Sequence, residues 1–116
     1  MDELSEVYKA LSDPSRRRQL ERLAGGPATS GQLADLLTMS RPAGSQHLAV
    51  LAAAELVQTT PVGRQRWHTL SAERLYRTRY WLDELLTRWE TVLAEAPTVP
   101  VPIEPVPVVL PLRSTS

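Results

Sequence analysis

Between Arg41 and Ala53, helical spacing turns Leu48, Leu51 and Ala52 inward and leaves Arg41, Ser45, Gln46 and Ala49 outward. These outward types suit reading base edges. Arginine grips guanine O6 and N7 with paired hydrogen bonds, glutamine does the same for adenine, and serine serves a base or a phosphate. His47 lies beside this face, within reach of a phosphate or a base edge, and Ser40 precedes it as the expected helix cap. A second pair, Arg64 and Arg66, brackets the tip of a short ribbon. Strand alternation predicts both on one face with Gln65 opposite, an arrangement suited to backbone phosphate or an adjacent minor groove. The plainer readings are a solvated helix face and a ribbon kept soluble by charge. The capped helix and short turn before the polar face, and the ribbon after it, favour a groove-reading role.

Other clusters point away from chemistry. Arg16, Arg17 and Arg18 crowd the first turn of a helix, against its macrodipole, at a cost of a few tenths of a kcal/mol each. Structural pairing with Asp13 and the acidic first helix is expected for Arg16 and Arg17, and solvation for Arg18. No Ser/His/Asp set is suggested by spacing, and there is no glycine-rich phosphate loop. Asp83 and Glu84 are neighbours on a helix and point in different directions. His68, beside Trp67 in a strand, is expected as a packing residue. No catalytic residue is assigned, and an enzyme is not expected. The two histidines are isolated and cysteine is absent. Carboxylates alone make a weak hard-ion site at best, so no metal or other cofactor is expected.

The elements that must position these residues are signalled by caps and breakers. A first helix spans about Glu3 to Leu11, with Leu4, Val7, Tyr8 and Leu11 at helical spacing. Asp13 caps a second, from Pro14 to Ala24, which buries Leu20, Leu23 and Ala24 and stops at Gly25-Gly26-Pro27. Thr29 and Gln32 have capping-box spacing and open a third helix through Leu33, Leu36 and Leu37. Thr38-Met39 makes a turn, and a fourth helix ends near Ala54. Two alternating segments, Leu56 to Thr60 and Gln65 to Leu70, flank a tip where Gly63 allows positive φ. Ser71 is expected to cap a last helix reaching about Ala96. Its stripe of Leu75, Leu82, Leu85, Leu86, Trp89, Val92 and Leu93 needs a partner surface. From Pro97 proline alternates with valine, which predicts an extended polyproline-like tail. The fold class is mainly α with a small β-ribbon, a winged helix-turn-helix. Residues 1–96 would form the DNA-binding and dimerisation domain and 97–116 the tail.

Composition sets outer bounds. With 116 residues the chain is one domain, small enough that pairing with a second copy would help stability. It has no cysteine and no apolar run of membrane-span length, and Met1 is followed by acidic Asp2 and Glu3. A cytoplasmic protein without a membrane partner is the expectation. Net charge is formally zero, which argues against a generic DNA-coating protein. The charge is uneven, however. The first residues are acidic, the second helix and the ribbon basic, so neutrality can hide a basic face.

The stretch SDPSRRRQLERLAGGPATSGQLADLLTMSRPAGSQHLAVLAAAELV, with VGRQRWHTL after it, resembles the ArsR family of bacterial winged-helix repressors. The specific parts are the Asp13-Pro14-Ser15-Arg16-Arg17 helix start, the Ser40-x-Pro42-Ala43-x-Ser45-x-His47-Leu48 recognition helix and the Gly63-Arg64 wing. The resemblance covers about Tyr8 to Trp89. It implies a homodimer joined through the first and last helices, which makes Leu4, Val7, Tyr8, Leu82, Leu86 and Trp89 the candidate interface. It also implies a double-stranded operator as partner, with repression until an effector intervenes. Metal-sensing members carry a Cys-x-Cys motif in the third helix, where this chain reads GQLADLL, or His and Asp ligands in the last helix, a set this chain lacks. Gly44 replaces the small aliphatic residue usual beneath the recognition helix. Glycine costs about 0.5–1 kcal/mol relative to alanine in a helix and predicts a looser helix start. The resulting expectation is a metal-independent dimeric repressor using Ser40, Arg41, Ser45, Gln46 and His47 in recognition helix 41–53, and Arg64 and Arg66 in wing 61–66. The alternative is a winged-helix module that binds protein through ribbon and tail, without an operator.

Overall fold

Side-chain caps start the first four helices of the computed structural model, which describes residues 2–95. Asp2 accepts the Ser5 N–H and opens α1 (Glu3–Leu11), and Asp13 accepts the Arg16 N–H and opens α2 (Pro14–Leu23). β1 is only Ala28–Thr29. Thr29 then caps α3 (Ser30–Leu36) through a complete capping box with Gln32, and Ser40 accepts the Ala43 N–H to open α4 (Arg41–Ala53). Each such cap is worth about 1 kcal/mol, because it satisfies a donor that the helix start leaves without a partner. β2 (Val57–Val62) and β3 (Gln65–Leu70) form the wing, and α5 runs from Glu73–Glu95.

The three strands make one antiparallel sheet in the order β1-β3-β2. Val62 pairs with Gln65, so the hairpin turns on Gly63-Arg64 alone, and Gly63 takes the positive φ of +62° that the turn requires. On the other side of β3, Ala28 pairs with His68 and Thr29 with Trp67. The expected two-stranded ribbon is thus joined by a third short strand. That strand ties the root of the wing to the start of α3.

The core gathers Val7 and Ala10 of α1, Leu20 and Leu23 of α2, Leu33 of α3 and Leu48 and Leu51 of α4, closed by Leu56 and Val57. Burying each leucine or valine contributes about 1.5–3 kcal/mol. Leu11, Leu70 and Leu75 pack against its edge. Arg16 and Arg17 are structural, as expected, but their partners are carbonyls. Arg16 donates from Nε to Ala10 O at 2.7 Å and from Nη2 to Lys9 O at 2.9 Å, and Arg17 donates to Leu11 O at 2.7 Å. They satisfy the carbonyls that the end of α1 leaves open. Arg18 is exposed. Arg74 reaches Glu6 at 2.9 Å, Glu55 at 3.1 Å and the Ala54 carbonyl at 3.1 Å, joining α1 and the end of α4 to the start of α5.

Several boundaries differ from expectation. Ala24 is exposed because it is the C-cap of α2 rather than part of its buried face. Leu36 is exposed and Ala34 takes the inward place beside Leu33. Ala52 is only partly buried. Ser71 does not cap α5: its N–H donates to Leu56 O, and Ala72 O receives the Tyr76 N–H instead. Contacts divide the chain after Asp83. Residues up to Asp83 hold the core and the sheet. The described part of the second unit is the α5 stretch 84–95, all of it exposed. The tail assigned to residues 97–116 lies outside the described residues.

Candidate nucleic-acid interface

The recognition helix is held by its buried side. Leu48 and Leu51 enter the core, and Gly44 faces Gln19 of α2, whose Nε2 donates to the Gly44 carbonyl at 3.2 Å. A Cβ on Gly44 would stand 3.4 Å from Met39 Sδ, so the first turns of α4 lie close on α2 and the preceding turn. Gln19 is 0% exposed, and its Oε1 is buried without a hydrogen-bond partner among the described residues. Sequence reasoning missed this residue. Its signal was a polar side chain one helical turn before inward-facing Leu23.

With that side fixed, Arg41, Ser45, Gln46 and Ala49 are exposed, as expected, and Ser40 is spent on its cap. A cleft of about 330 Å³ lies where the starts of α3 and α4 meet the wing tip. Arg41, Arg64 and Arg66 all line it, together with Ser30, Ser45 and Gln65, and no Asp or Glu of the described residues does. Among the described residues none of these three arginines is in an ion pair. The Arg41 guanidinium rests over Gly31, where a Cβ would come within 2.9 Å of its Nη2. An adjoining cleft of about 480 Å³ continues between α4 and the sheet, with Leu48, Ala49 and Ala52 on one wall and Thr59, Arg66 and His68 on the other.

Two expected placements are corrected. Arg64 sits in the turn, not in a strand, so alternation does not set its direction, and Gln65 lines the same cleft as both arginines. His47 does not extend the outward row. It is half-buried at the start of α2, with Nδ1 3.9 Å from Asp13 Oδ2 and 3.5 Å from Arg16 Nη1. The Asp13 carboxyl is held below its ordinary range, chiefly by the Arg16 backbone N–H it accepts, with His47 adding to the effect.

His68 is buried, 3% exposed, with both ring nitrogens engaged. Nε2 is hydrogen-bonded to Ser30 Oγ at 2.7 Å and Nδ1 to Thr59 Oγ1 at 3.0 Å. Burial pushes its pKa down, and the Arg66 charge pushes it further.

The candidate interface residues divide. Val7 is 0% exposed in the core of its own chain, so it is not available to a partner, and Leu4 is partly buried. Tyr8 and Leu82 are exposed, and Tyr8 meets Trp81 edge-on with ring centroids 6.5 Å apart. Along 84–95 of α5, Leu85, Leu86, Trp89, Val92 and Leu93 are all exposed. Monomeric soluble proteins rarely leave so many large apolar side chains bare on one helix.

Helix-turn-helix followed by a wing, with arginines between them, defines a winged-helix DNA-binding protein. Residues 13–59 match the bacterial regulatory protein arsR family. The chain is 46% identical over 89 residues to the HTH-type transcriptional regulator Rv2034 of Mycobacterium tuberculosis, covering 77% of this chain and 83% of that protein. It is 31% identical over 90 residues to the transcriptional repressor SdpR of Bacillus subtilis, covering 78% of this chain and all of that one. An ArsR-like transcriptional regulator from Rhodococcus sp. RHA1 shares the fold with a TM-score of 0.74 at 34% identity, over 79% of this chain and 84% of that one. The chain belongs to the ArsR family of bacterial regulators and is a winged-helix transcriptional regulator.

Proposed function

We propose that the protein is a metal-independent homodimeric repressor that binds an operator with α4 in the major groove and the wing along the adjacent backbone. The observation that carries this is the convergence of Arg41, Arg64 and Arg66 on one cleft with no carboxylate among the described residues, beside the exposed row of Arg41, Ser45 and Gln46. Three guanidiniums at one place fit a phosphodiester backbone, and the outward row fits base edges. Ser40 supports the row by capping its helix. His47 contributes from the edge, held by Asp13 and Arg16. Repression is supported by the resemblance to a named repressor. The dimer rests on the exposed apolar residues of α5, with Leu82, Leu86, Trp89 and Tyr8 as the contacts. Metal independence is supported by the absence of cysteine and by the use of both histidines in local contacts. Residues 97–116 are not needed for operator binding, and the cytoplasm is the compartment where such a regulator acts. No helix of the described residues is long and apolar enough to cross a membrane.

The test is binding to duplexes drawn from the DNA flanking its own gene, against mixed-sequence duplex. Arg41→Ala and Gln46→Ala should each reduce discrimination by about 1–3 kcal/mol. Equal losses on both DNAs would assign the two residues to phosphate only. No preference for any flanking duplex would remove the operator reading and favour the protein-interaction module. Binding that collapses with a chelator would overturn metal independence.

A further inference from the structure

His68 joins three pieces of the DNA-facing side through one ring. It stands on β3, the central strand, and holds Thr59 of β2 with one nitrogen and Ser30 at the start of α3 with the other. Its own strand neighbour two residues earlier is Arg66, which points to the same cleft wall. The ring therefore connects the wing arginines to the helix-turn-helix at the place where both meet the cleft. Each hydroxyl partner can donate or accept, so the two hydrogen bonds survive in the neutral and the protonated ring alike. We propose that His68 is a positioning residue that pins the wing to the start of α3 and couples proton uptake to anion binding at Arg66.

The coupling follows from the charges around the ring. Ala28 on β1, Ser30 on α3 and Thr59 on β2 are uncharged, and across the cleft α4 presents Ser45, Leu48 and Ala49. On α2 the buried side chains are Gln19, Leu20 and Leu23. Among the described residues the charged neighbour that acts on the ring is Arg66. In the free protein burial and Arg66 both disfavour a proton on the ring. A phosphate seated on Arg66 cancels that repulsion and adds attraction, so the DNA-bound state holds the proton more tightly. By linkage, DNA affinity then rises as pH falls, while the stability of the free fold declines over the same range. A role confined to packing would not produce opposite signs. The inference rests on the DNA-binding reading above, and its test separates the two.

The experiment compares the full chain with His68→Ala and His68→Gln. Glutamine keeps a donor and an acceptor but cannot take the proton. In the free protein, hydrogen exchange along Gln65–Leu70 should quicken in the alanine variant and be partly restored in the glutamine variant. On a fluorescent duplex from the DNA flanking its own gene, alanine should weaken binding about tenfold at pH 8, with glutamine between it and wild type. Wild-type affinity should then rise several-fold more than that of His68→Gln between about pH 8 and pH 6. The comparison cancels every pH effect that the two proteins share. Unchanged exchange in the alanine variant refutes the pin, with or without DNA. Identical pH profiles for wild type and His68→Gln refute the coupling. A wild-type protein that binds no duplex removes the operator reading and the coupling together, while exchange still decides the pin.

Discussion

Replacing Arg64 by alanine tests the cleft by counting the phosphates it holds. Arg64 lines the cleft from the turn, is exposed and has no carboxylate partner among the described residues, so its removal should leave the core and sheet intact. A cation seated on a duplex phosphate releases condensed counterions, and each such contact steepens the fall of log K with log salt by about 0.9. One contact should therefore vanish from the slope as about 0.9 for a single site, or about 1.8 for a two-fold dimer on a two-fold operator. Between about 50 and 200 mM salt the first corresponds to a roughly 3.5-fold difference in affinity and the second to roughly 12-fold. Wild type and variant should differ most at low salt and converge as salt rises. Fluorescence anisotropy on one labelled duplex across a salt series gives both slopes directly. Parallel lines would show that Arg64 touches no phosphate and that the cleft is not where the backbone lies. A change near 1.8 would also support the dimer, since one substitution would then have removed two contacts.

Leu86→Asp should prevent self-association, because a carboxylate in a buried apolar contact has no partner and is costly there. Sedimentation at micromolar concentration should show wild-type dimer and variant monomer, and a wild-type monomer would end the dimer reading. Gly44→Ala should stabilise the fold by about 0.5–1 kcal/mol, visible as a melting point a few degrees higher. The added Cβ meets Met39 and Gln19 at ordinary contact distances, and a lower melting point would mean that the close approach of α4 to α2 cannot accommodate it. Acid should destabilise wild type more than His68→Gln as pH drops below about 6.5. The depressed pKa of His68 means that the folded state favours the neutral ring, so its contribution is complete above the ordinary histidine range and lost as pH falls through the folded value. Equal acid sensitivity in the two proteins would show that the ring is not protonated less readily when folded. Truncation after Ala96 should preserve duplex affinity within a few-fold, and a folded dimer that no longer binds would move the domain boundary into the tail.

The helix starts were legible because each is a local event. Asp13 before Pro14, Thr29 three residues before Gln32, and Ser40 before Arg41 each satisfy backbone donors within one turn, and all three caps form. What escaped depends on distant partners. β1 is two residues long and exists only because Trp67 and His68 offer a ladder to Thr29 and Ala28. The positive charges of Arg16 and Arg17 suggested carboxylate partners. Their reach instead ends on the carbonyls of α1, since that helix finishes beside the start of α2. Val7 and Tyr8 are adjacent on one apolar stripe, and periodicity cannot say which of them faces the chain's own core and which faces away. Leu82 and Leu86 lie on the apolar stripe of the last helix, and both are exposed.

The site was legible in pieces and not as a whole. Spacing along α4 placed Arg41, Ser45 and Gln46 outward. It set His47 at the margin of that face, where the proximity of Asp13 and Arg16 turns it toward α2. Arg41 and the wing arginines lie far apart in the chain, and nothing local in either segment says that they meet. Their meeting follows from the strand order: β3 lies between β1 and β2, β1 runs directly into α3, and α4 begins after the short turn that ends α3. Once Thr29 pairs with Trp67, the base of the wing must stand beside Ser30 and Gly31, and Arg41 already rests over Gly31. The short strand absent from the sequence reading is therefore what assembles the cleft. His68, one residue along the same ladder, is bonded to Ser30 and Thr59 where that assembly would otherwise open.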